Sequence, residues 1–459
     1  MPGLNGGWTR FIASRAADAT ARESASAGRE IVAGREALRL IHAADLHLGS
    51  LPQNLGAYAR ERREALSLAL ERIIELAEHT RVDLLLLPGD VLESKSLRRD
   101  GMKHVWRTLG RVPDLPIFIA TGNHDPLAAD SPWFLPGQPD NVYIFSGEGE
   151  VVELSYLNTM VYGASFVAPY RTEPPANLHR VVRPIGSAQH RDFWRVGLIH
   201  GEIVADDSRS TGPLSEYNPL RPADIGASGL HYLALGHIHL GDAELRRAGQ
   251  TYYSYSGCPC GRGMDELGTK FVRRIEIDRR GNCNDEKVSL SLPEIRAVEI
   301  DMDGVATTAE AAERIAKVLL SRQAGGSTVA GVSGADPTVL ELGLWGAVSP
   351  REHFYRLILT GSTDPNYLVQ TEGLLLRLRE SHSFKILKLI NRAWPKFVWR
   401  EWLKDKTFSG YLARVCADAL ERAERSGDAE AAARTEAAID MLFAAANGQD
   451  IKRSVTERT

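Results

Sequence analysis

Seven residues of metal-holding types recur at the ends of short apolar runs in the first 260 residues of the chain. The densest group is Thr121-Gly122-Asn123-His124-Asp125, directly after Ile117-Phe118-Ile119-Ala120. That run has the length of a buried strand, and Gly122 permits a tight turn at its end. Asn123 offers an amide oxygen and His124 an imidazole. Upstream, the run from Leu38 to Ala44 ends in Asp45-Leu46-His47. Residues two apart on an extended chain face one side, so this carboxylate and imidazole would converge on one cation. Val82 to Leu87 ends at Pro88-Gly89-Asp90, Arg195 to Ile199 at His200-Gly201, and Tyr232 to Leu235 at Gly236-His237-Ile238-His239. The last pair of imidazoles is again expected to face one way.

The set is therefore Asp45, His47, Asp90, Asn123, His200, His237 and His239. These are oxygen and imidazole donors without a thiolate, a mix that suits Mn(II), Fe(II) or Zn(II) rather than a Cys-rich structural zinc. Two ions roughly 3.5–4 Å apart need a shared ligand, and Asp90, a lone carboxylate in the middle of the order, is the natural bridge. Any one of these residues reads as a polar side chain closing a strand. Seven in order, each after an apolar run, point to a metal centre.

The elements that would position them alternate. Residues 58 to 79 carry Leu66, Leu70, Ile73 and Ala77 at helical spacing. Val82 to Leu87 reads as a strand buried on both faces. Residues 101 to 110 suit a helix before the strand at 117 to 120. This is β-α-β-α-β, a parallel sheet with right-handed crossovers, whose ligands gather at the carboxyl ends of strands. Further strands are predicted at 142–145, 151–157 and 159–163.

The ordered set D-x-H, G-D, G-N-H-D, H-G and G-H-x-H resembles the calcineurin-like metallophosphoesterase superfamily. Asp45-Leu-His-Leu-Gly49, Val161-Tyr-Gly-Ala-Ser-Phe166, Tyr232-Leu-Ala-Leu-Gly-His-Ile-His239 and Tyr255-Ser-Gly257 resemble the SbcD-type DNA repair exonucleases. The resemblance covers about residues 38 to 275. It implies an α/β, four-layer β-sandwich flanked by helices, and two divalent ions, Mn(II) by expectation. One ion would be held by Asp45, His47, Asp90 and His239, the second by Asp90, Asn123, His200 and His237. His124 would be catalytic, facing the scissile phosphate and helping the leaving oxygen. Asp125 either orients His124 or a ligand, or caps the following turn. Where the family often reads G-D-L-F-D, this chain has Val91-Leu92-Glu93, so Glu93 takes that place with a longer arm and exonuclease preference stays open. Cys258-Pro-Cys-Gly-Arg262 departs from the SbcD pattern and is closer to a bacterial subgroup resembling YhaO. Arg262 is placed for substrate by position. Lys95, Arg98, Arg99, Lys103 and Arg107 read first as a solvated helix face and second as a phosphate track.

Four domains are expected: a mobile N-terminal extension over 1–37, the nuclease domain over 38–290, an α+β cap over 295–392 and a helical tail over 393–459. In the cap the predicted order is β-α-β-β-α-β, ferredoxin-like, with strands at 298–302, 339–344, 354–359 and 384–389, helices at 308–320 and 367–378, and a Gly/Ser/Ala-rich loop at 324–335. The tail reads as a helical hairpin broken at Ser426-Gly427-Asp428, with Leu412, Val415, Cys416 and Ala419 on one face, and its last dozen residues as frayed. The resemblance makes the partners DNA, an SMC-like coiled-coil ATPase docked on the tail, and a second copy of the chain.

The 459 residues carry a net charge of -4, which argues against a uniformly basic nucleic-acid coat without excluding a basic groove. Four cysteines (Cys258, Cys260, Cys283, Cys416) are too few and irregular for a disulfide framework, which fits a reducing, cytoplasmic compartment. The lone C-x-C does not suit structural zinc. The chain has no apolar run long enough to span a membrane, and the N-terminus lacks a signal-peptide core. The expectation is a metal-dependent DNA nuclease, exonuclease and/or single-strand endonuclease. A small-phosphodiester or nucleotide hydrolase and a non-catalytic scaffold of an ATPase complex are the alternatives.

Overall fold

The computed structural model of the chain describes residues 4–26, 35–173, 192–205, 215–321, 338–364, 367–396 and 399–446. The predicted loop at 324–335 and the frayed last dozen residues lie outside them. The chain divides into two compact units, Met1–Glu294 with Ala335–Ala347, and Ile295–Gly334 with Val348–Thr459.

In chain order the first unit contains α1 (Trp8–Ser26), β1 (Ala37–His42), α2 (Ala59–Thr80), β2 (Leu84–Pro88), α3 (Arg99–Leu109), β3 (Ile117–Ala120), β4 (Val142–Ile144), β5 (Glu150–Leu154) and β6 (Thr159–Ala164). There follow β7 (Trp194–His200), α4 (Pro222–Ala227), β8 (Tyr232–Gly236), β9 (Arg246–Ala248), β10 (Thr251–Tyr255), β11 (Phe271–Asp278) and β12 (Cys283–Ser289). The second unit opens with β13 (Ile295–Asp301) and α5 (Thr308–Ser321), and β14 (Val339–Leu340) then returns to the first. The second unit continues with β15 (Phe354–Thr360), β16 (Ser362–Thr363), α6 (Thr371–His382), β17 (Lys385–Asn391), β18 (Trp394–Pro395), α7 (Phe408–Arg425) and α8 (Ala429–Ala446).

Two sheets build the first unit, in the orders β14-β12-β11-β1-β2-β3-β4 and β5-β6-β7-β8-β10-β9. Strands β1 to β4 run parallel, as do β6, β7, β8 and β10. The central strands β2, β3 and β8 are buried on both faces, so each face feeds a different core. Leu84 and Leu86 join Phe118, Val196 and Tyr232 between the sheets, whereas Leu85 and Leu87 pack outward with Leu66, Leu70 and Ile73 of α2. On the far side Ile199, Leu233 and Leu235 pack with Ile225 of α4. The result is four layers: helices, sheet, sheet, helix.

The extension expected to be mobile over 1–37 is a helix where it is described. Trp8 and Phe11 are buried in the core between the sheets, with the Trp8 ring 5.2 Å from Phe118 and 5.1 Å from Tyr143, both edge-on. An Ala- and Arg-rich composition hid two aromatic anchors that close this core. The strand predicted over 151–157 stops at Leu154, and residues 155–157 form a turn.

Among the described residues the second unit does not show the ferredoxin-like order: its main sheet is β13-β15-β17, all parallel, beside the short pair β16-β18, with α5 and α6 packed through Ile315, Leu319, Leu374 and Leu378. The strand predicted at 339–344 shortens to β14, which pairs with β12 in the first unit's sheet (Lys287 opposite Val339) and leaves the order β-α-β-α-β. Helix α6 begins at Thr371, not Tyr367. In the hairpin, Ala413, Cys416 and Leu420 of α7 pack against Ile439 and Phe443. Val415, expected on the buried face, is exposed with Phe408 and Tyr411. All four cysteines are free thiols. No helix among the described residues is long and apolar enough to cross a membrane.

Candidate metal centre

The carboxyl ends of β1, β2, β3, β7 and β8 deliver all seven candidate ligands to one end of the sandwich. Six do so from turns beyond the strand ends, and His200 is the last residue of β7. Strand β1 stops at His42 and β8 at Gly236, and Asp45, His47, Asp90 and His237 all have positive φ (55°, 46°, 50° and 112°). Left-handed backbone is unfavourable for such residues and is held only where the surroundings over-determine it. Here the loops hold one another: Asp45 N–H donates to Gly89 O and His47 N–H to Asp90 O. Asp45 and His47 still converge on one group, as expected, whereas the expectation that His237 and His239 face one way is corrected. His237 turns to His200 (ring centroids 5.2 Å apart) and Tyr217 (4.8 Å), while His239 turns to His47.

Two glycines make this approach possible. A Cβ on Gly89 would lie 2.4 Å from the His200 ring, and one on Gly122 2.2 Å from Asp90 Oδ1. Any side chain at either position would push the ligands apart.

Asp45, His47, Asp90 and His239 form one group, with ligand atoms all within 4.8 Å of one another. His47 Nε2 lies 3.2 Å from His239 Nε2 and 3.6 Å from Asp90 Oδ2. The Asp45 carboxylate accepts from His237 N–H at 3.0 Å, and its Oδ1 is 4.0 Å from His239 Nε2. The second group meets the same Asp90 oxygen: His200 Nε2 is 3.5 Å from Asp90 Oδ2 and 3.0 Å from Asn123 Oδ1. Asp90 therefore stands between both groups.

The chemistry of the donors fits divalent cations. Burial pushes His47 down to about 4, His200 to about 3 and His237 to about 4, so the rings are neutral near pH 7. A neutral ring has one proton. His200 Nδ1 faces Pro88 O at 3.1 Å and Nε2 faces Asn123 Oδ1. Both partners accept only, so one contact sets lone pair against lone pair unless a cation joins it. His239 Nδ1 donates to Glu266 Oε1 at 2.6 Å, which turns the Nε2 lone pair toward His47 and the first ligand group. Asp45 is held well above the usual carboxylate range by burial and by Asp90, repulsion that a cation would relieve. Among the described residues the His, Cys and carboxylate groupings able to hold a cation, Asp45-His47-Asp90-His239 and His47-Glu93-His124, include no cysteine.

His124 stands at the rim, half-exposed, its ring edge-on to His47 at 4.7 Å. Its Nδ1 is 2.9 Å from Glu93 Oε2, and that hydrogen bond raises its affinity for a proton. Glu93 Oε2 also lies 3.7 Å from His47 Nδ1. Burial pushes the Glu93 carboxyl up, but the hydrogen bond from His124 and the nearby His47 ring outweigh it and hold the group ionised.

Asp125 does not touch the His124 ring. Its fully buried carboxylate accepts from the backbone N–H groups of Gly122 (2.6 Å), Val91 (3.0 Å), Leu92 (3.1 Å) and Asp90 (3.2 Å). It ties the loop carrying Asp90 to the loop carrying Asn123. Arg262 lies beside His239 and is ion-paired with Glu266 at 3.1 Å. Glu266 is the residue that sequence reasoning missed: it falls in the unremarkable stretch Gly263-Met264-Asp265-Glu266, without a strand end to flag it. Lys95, Arg98 and Arg99 are exposed, and Lys103 and Arg107 pair within α3 with Asp100 and His104.

Residues 38–241 match the calcineurin-like phosphoesterase family. All seven candidate ligands lie within the matched residues. Among curated proteins the chain is 28% identical over 253 residues to the uncharacterized metallophosphoesterase YhaO of Bacillus subtilis, covering 52% of this chain and 57% of that protein. It is 25% identical over 244 residues to the DNA double-strand break repair protein Mre11 of Aeropyrum pernix, covering 50% and 56%. It is also 25% identical over 250 residues to the protein of that name in Methanopyrus kandleri, covering 48% and 49%. The chain thus spans about half the length of the curated relatives it matches.

Proposed function

We propose that the chain is a two-ion phosphodiesterase that hydrolyses DNA, as a 3'–5' exonuclease and/or a single-strand endonuclease. The observation that carries this reading is Asp90, one carboxylate oxygen within 3.6 Å of imidazoles from two separate groups. When bound, two divalent ions would neutralise the phosphate and activate the attacking water. Asp45, His47, Asp90 and His239 would hold one, and Asp90, Asn123, His200 and His237 the other, with Mn(II) the cation suited to this oxygen and imidazole mix.

The chain's own residues do the rest. Asp125 fixes both ligand loops, and Glu266 orients His239 through its Nδ1–H. Glu93 keeps His124 protonated and aimed, so that the ring can give its proton to the leaving oxygen. DNA as substrate is supported by the two relatives named for DNA double-strand break repair and by SbcD-like segments around the ligands. On the same footing, an SMC-like ATPase partner for the hairpin, a homodimer and work in the cytoplasm are part of this reading.

The test is cleavage of labelled linear duplex and single-stranded DNA with Mn(II), Mg(II) or EDTA, in wild type and His124→Ala, with small chromogenic diesters in parallel. Mn(II)-dependent DNA cleavage that falls sharply in the variant is expected. Turnover of small diesters with intact DNA would overturn DNA as the substrate.

A further inference from the structure

Between β10 and β11, residues 257–266 close on themselves around one carboxylate. Glu266, buried, accepts from Arg262 N–H at 2.5 Å, Arg262 Nε at 3.2 Å and Nη2 at 3.1 Å, and His239 Nδ1 at 2.6 Å, with the Cys258 thiol at 3.7 Å. Five donors saturate its two oxygens.

We propose that Arg262 is a substrate-binding residue that takes a non-bridging oxygen of the phosphate being cleaved, with Glu266 holding the guanidinium at the centre's edge. This deepens the two-ion reading and rests on it. Three observations carry it. First, a guanidinium has five N–H groups, and those on Arg262 Nη1 make no hydrogen bond among the described residues. Second, Arg262 Nη2 sits 3.0 Å from His239 Nδ1, yet that nitrogen gives its proton to Glu266. Two N–H groups face each other there, so His239 takes up none of the guanidinium's donors and Glu266 alone holds it. Third, its Nη2 lies 3.0 Å from a ring nitrogen of His239, a candidate ligand of the first group, so the guanidinium borders that group. A forked cation there suits two oxygens on one phosphorus. The side chain is 23% exposed, so an anion arriving from solvent can reach it.

The probe is orthophosphate, titrated calorimetrically into the Mn(II)-loaded full chain, with metal content measured on the same samples. Wild type, Arg262→Gln and Arg262→Lys are compared, and single-stranded DNA is titrated in parallel at low temperature into the same proteins. The expected result is phosphate affinity about 10- to 100-fold weaker in Arg262→Gln, the range for a lost charged hydrogen bond. Arg262→Lys should recover part of it, both ions should stay bound, and DNA affinity should fall in parallel. Unchanged phosphate affinity in Arg262→Gln overturns the proposal, as does absence of phosphate binding in wild type. Loss of an ion together with phosphate also overturns it, because Arg262 would then act on His239 through Glu266. Phosphate binding lost in Arg262→Gln while wild type cuts no DNA leaves the Arg262 assignment standing and removes only the nuclease reading.

Discussion

Replacing Asp125 by Ala should cost more than any other single change near the centre. Its carboxylate is the common acceptor for four backbone N–H groups, at Asp90, Val91, Leu92 and Gly122. A buried donor left without a partner costs about 1–3 kcal/mol, so four would cost on the order of 4–12 kcal/mol. Two effects pull toward the lower end. Water can enter the space the carboxylate leaves. The carboxyl is also pushed up to about 7 by burial and by Asp90, so its removal relieves some repulsion. A net loss of roughly 4–5 kcal/mol follows, or roughly 8–15 °C in Tm. Asp125→Asn keeps one acceptor oxygen but turns an amide N–H toward the other donors, and should fall between. Thermal melts followed by circular dichroism, with metal content on the same samples, measure both outcomes. Asp125→Ala melting within about 2 °C of wild type, with both ions retained, would refute the view that this carboxylate joins the two ligand loops.

Three other expectations follow. Glu93→Gln should lower the proton affinity of His124, whose raised value comes first from the Glu93 hydrogen bond. The donor form is lost as pH rises through that value, so the alkaline limb of kcat should move to lower pH, while His124→Ala loses about 100-fold or more. A pH–rate profile on a small diester reads both. His42, fully buried between Tyr232 OH and Leu235 O, is pushed down to about 3 by burial. Its contribution is fully present above the unfolded value near 6.5 and is lost as pH falls toward 3. Between pH 6 and 4.5 its replacement by Gln should therefore flatten the fall of stability by up to about 1.4 kcal/mol per pH unit, measured by urea unfolding. Trp8→Ala should destabilise the first unit by about 3–5 kcal/mol, whereas a mobile segment would give no change in the urea midpoint.

The ligand types were legible because metal chemistry restricts them to a few side chains, and because parallel strands put their carboxyl ends at one edge. The apolar runs around Leu84 and Ile117 announced strands buried on both faces. What stayed hidden depends on contacts distant in sequence. The positive-φ turn at His237 is held by its N–H bond to Asp45, so extended-strand geometry wrongly set His237 and His239 on one side. Val339 and Leu340 look like any short strand, and only pairing with β12 puts them outside the second unit's sheet. Glu266 lacks local pattern, since its role comes from reaching back 27 residues to His239. Trp8 and Phe11 sit in a composition typical of tails, and two aromatic rings sufficed to dock that helix.

The most direct measurement is the metal content of Mn(II)-equilibrated wild type and Asp90→Asn, after removal of free ion. If one carboxylate joins two ion sites, wild type holds two ions per chain, and Asp90→Asn loses both or binds them far more weakly. One ion in wild type, or two ions still tightly held in Asp90→Asn, would contradict the account.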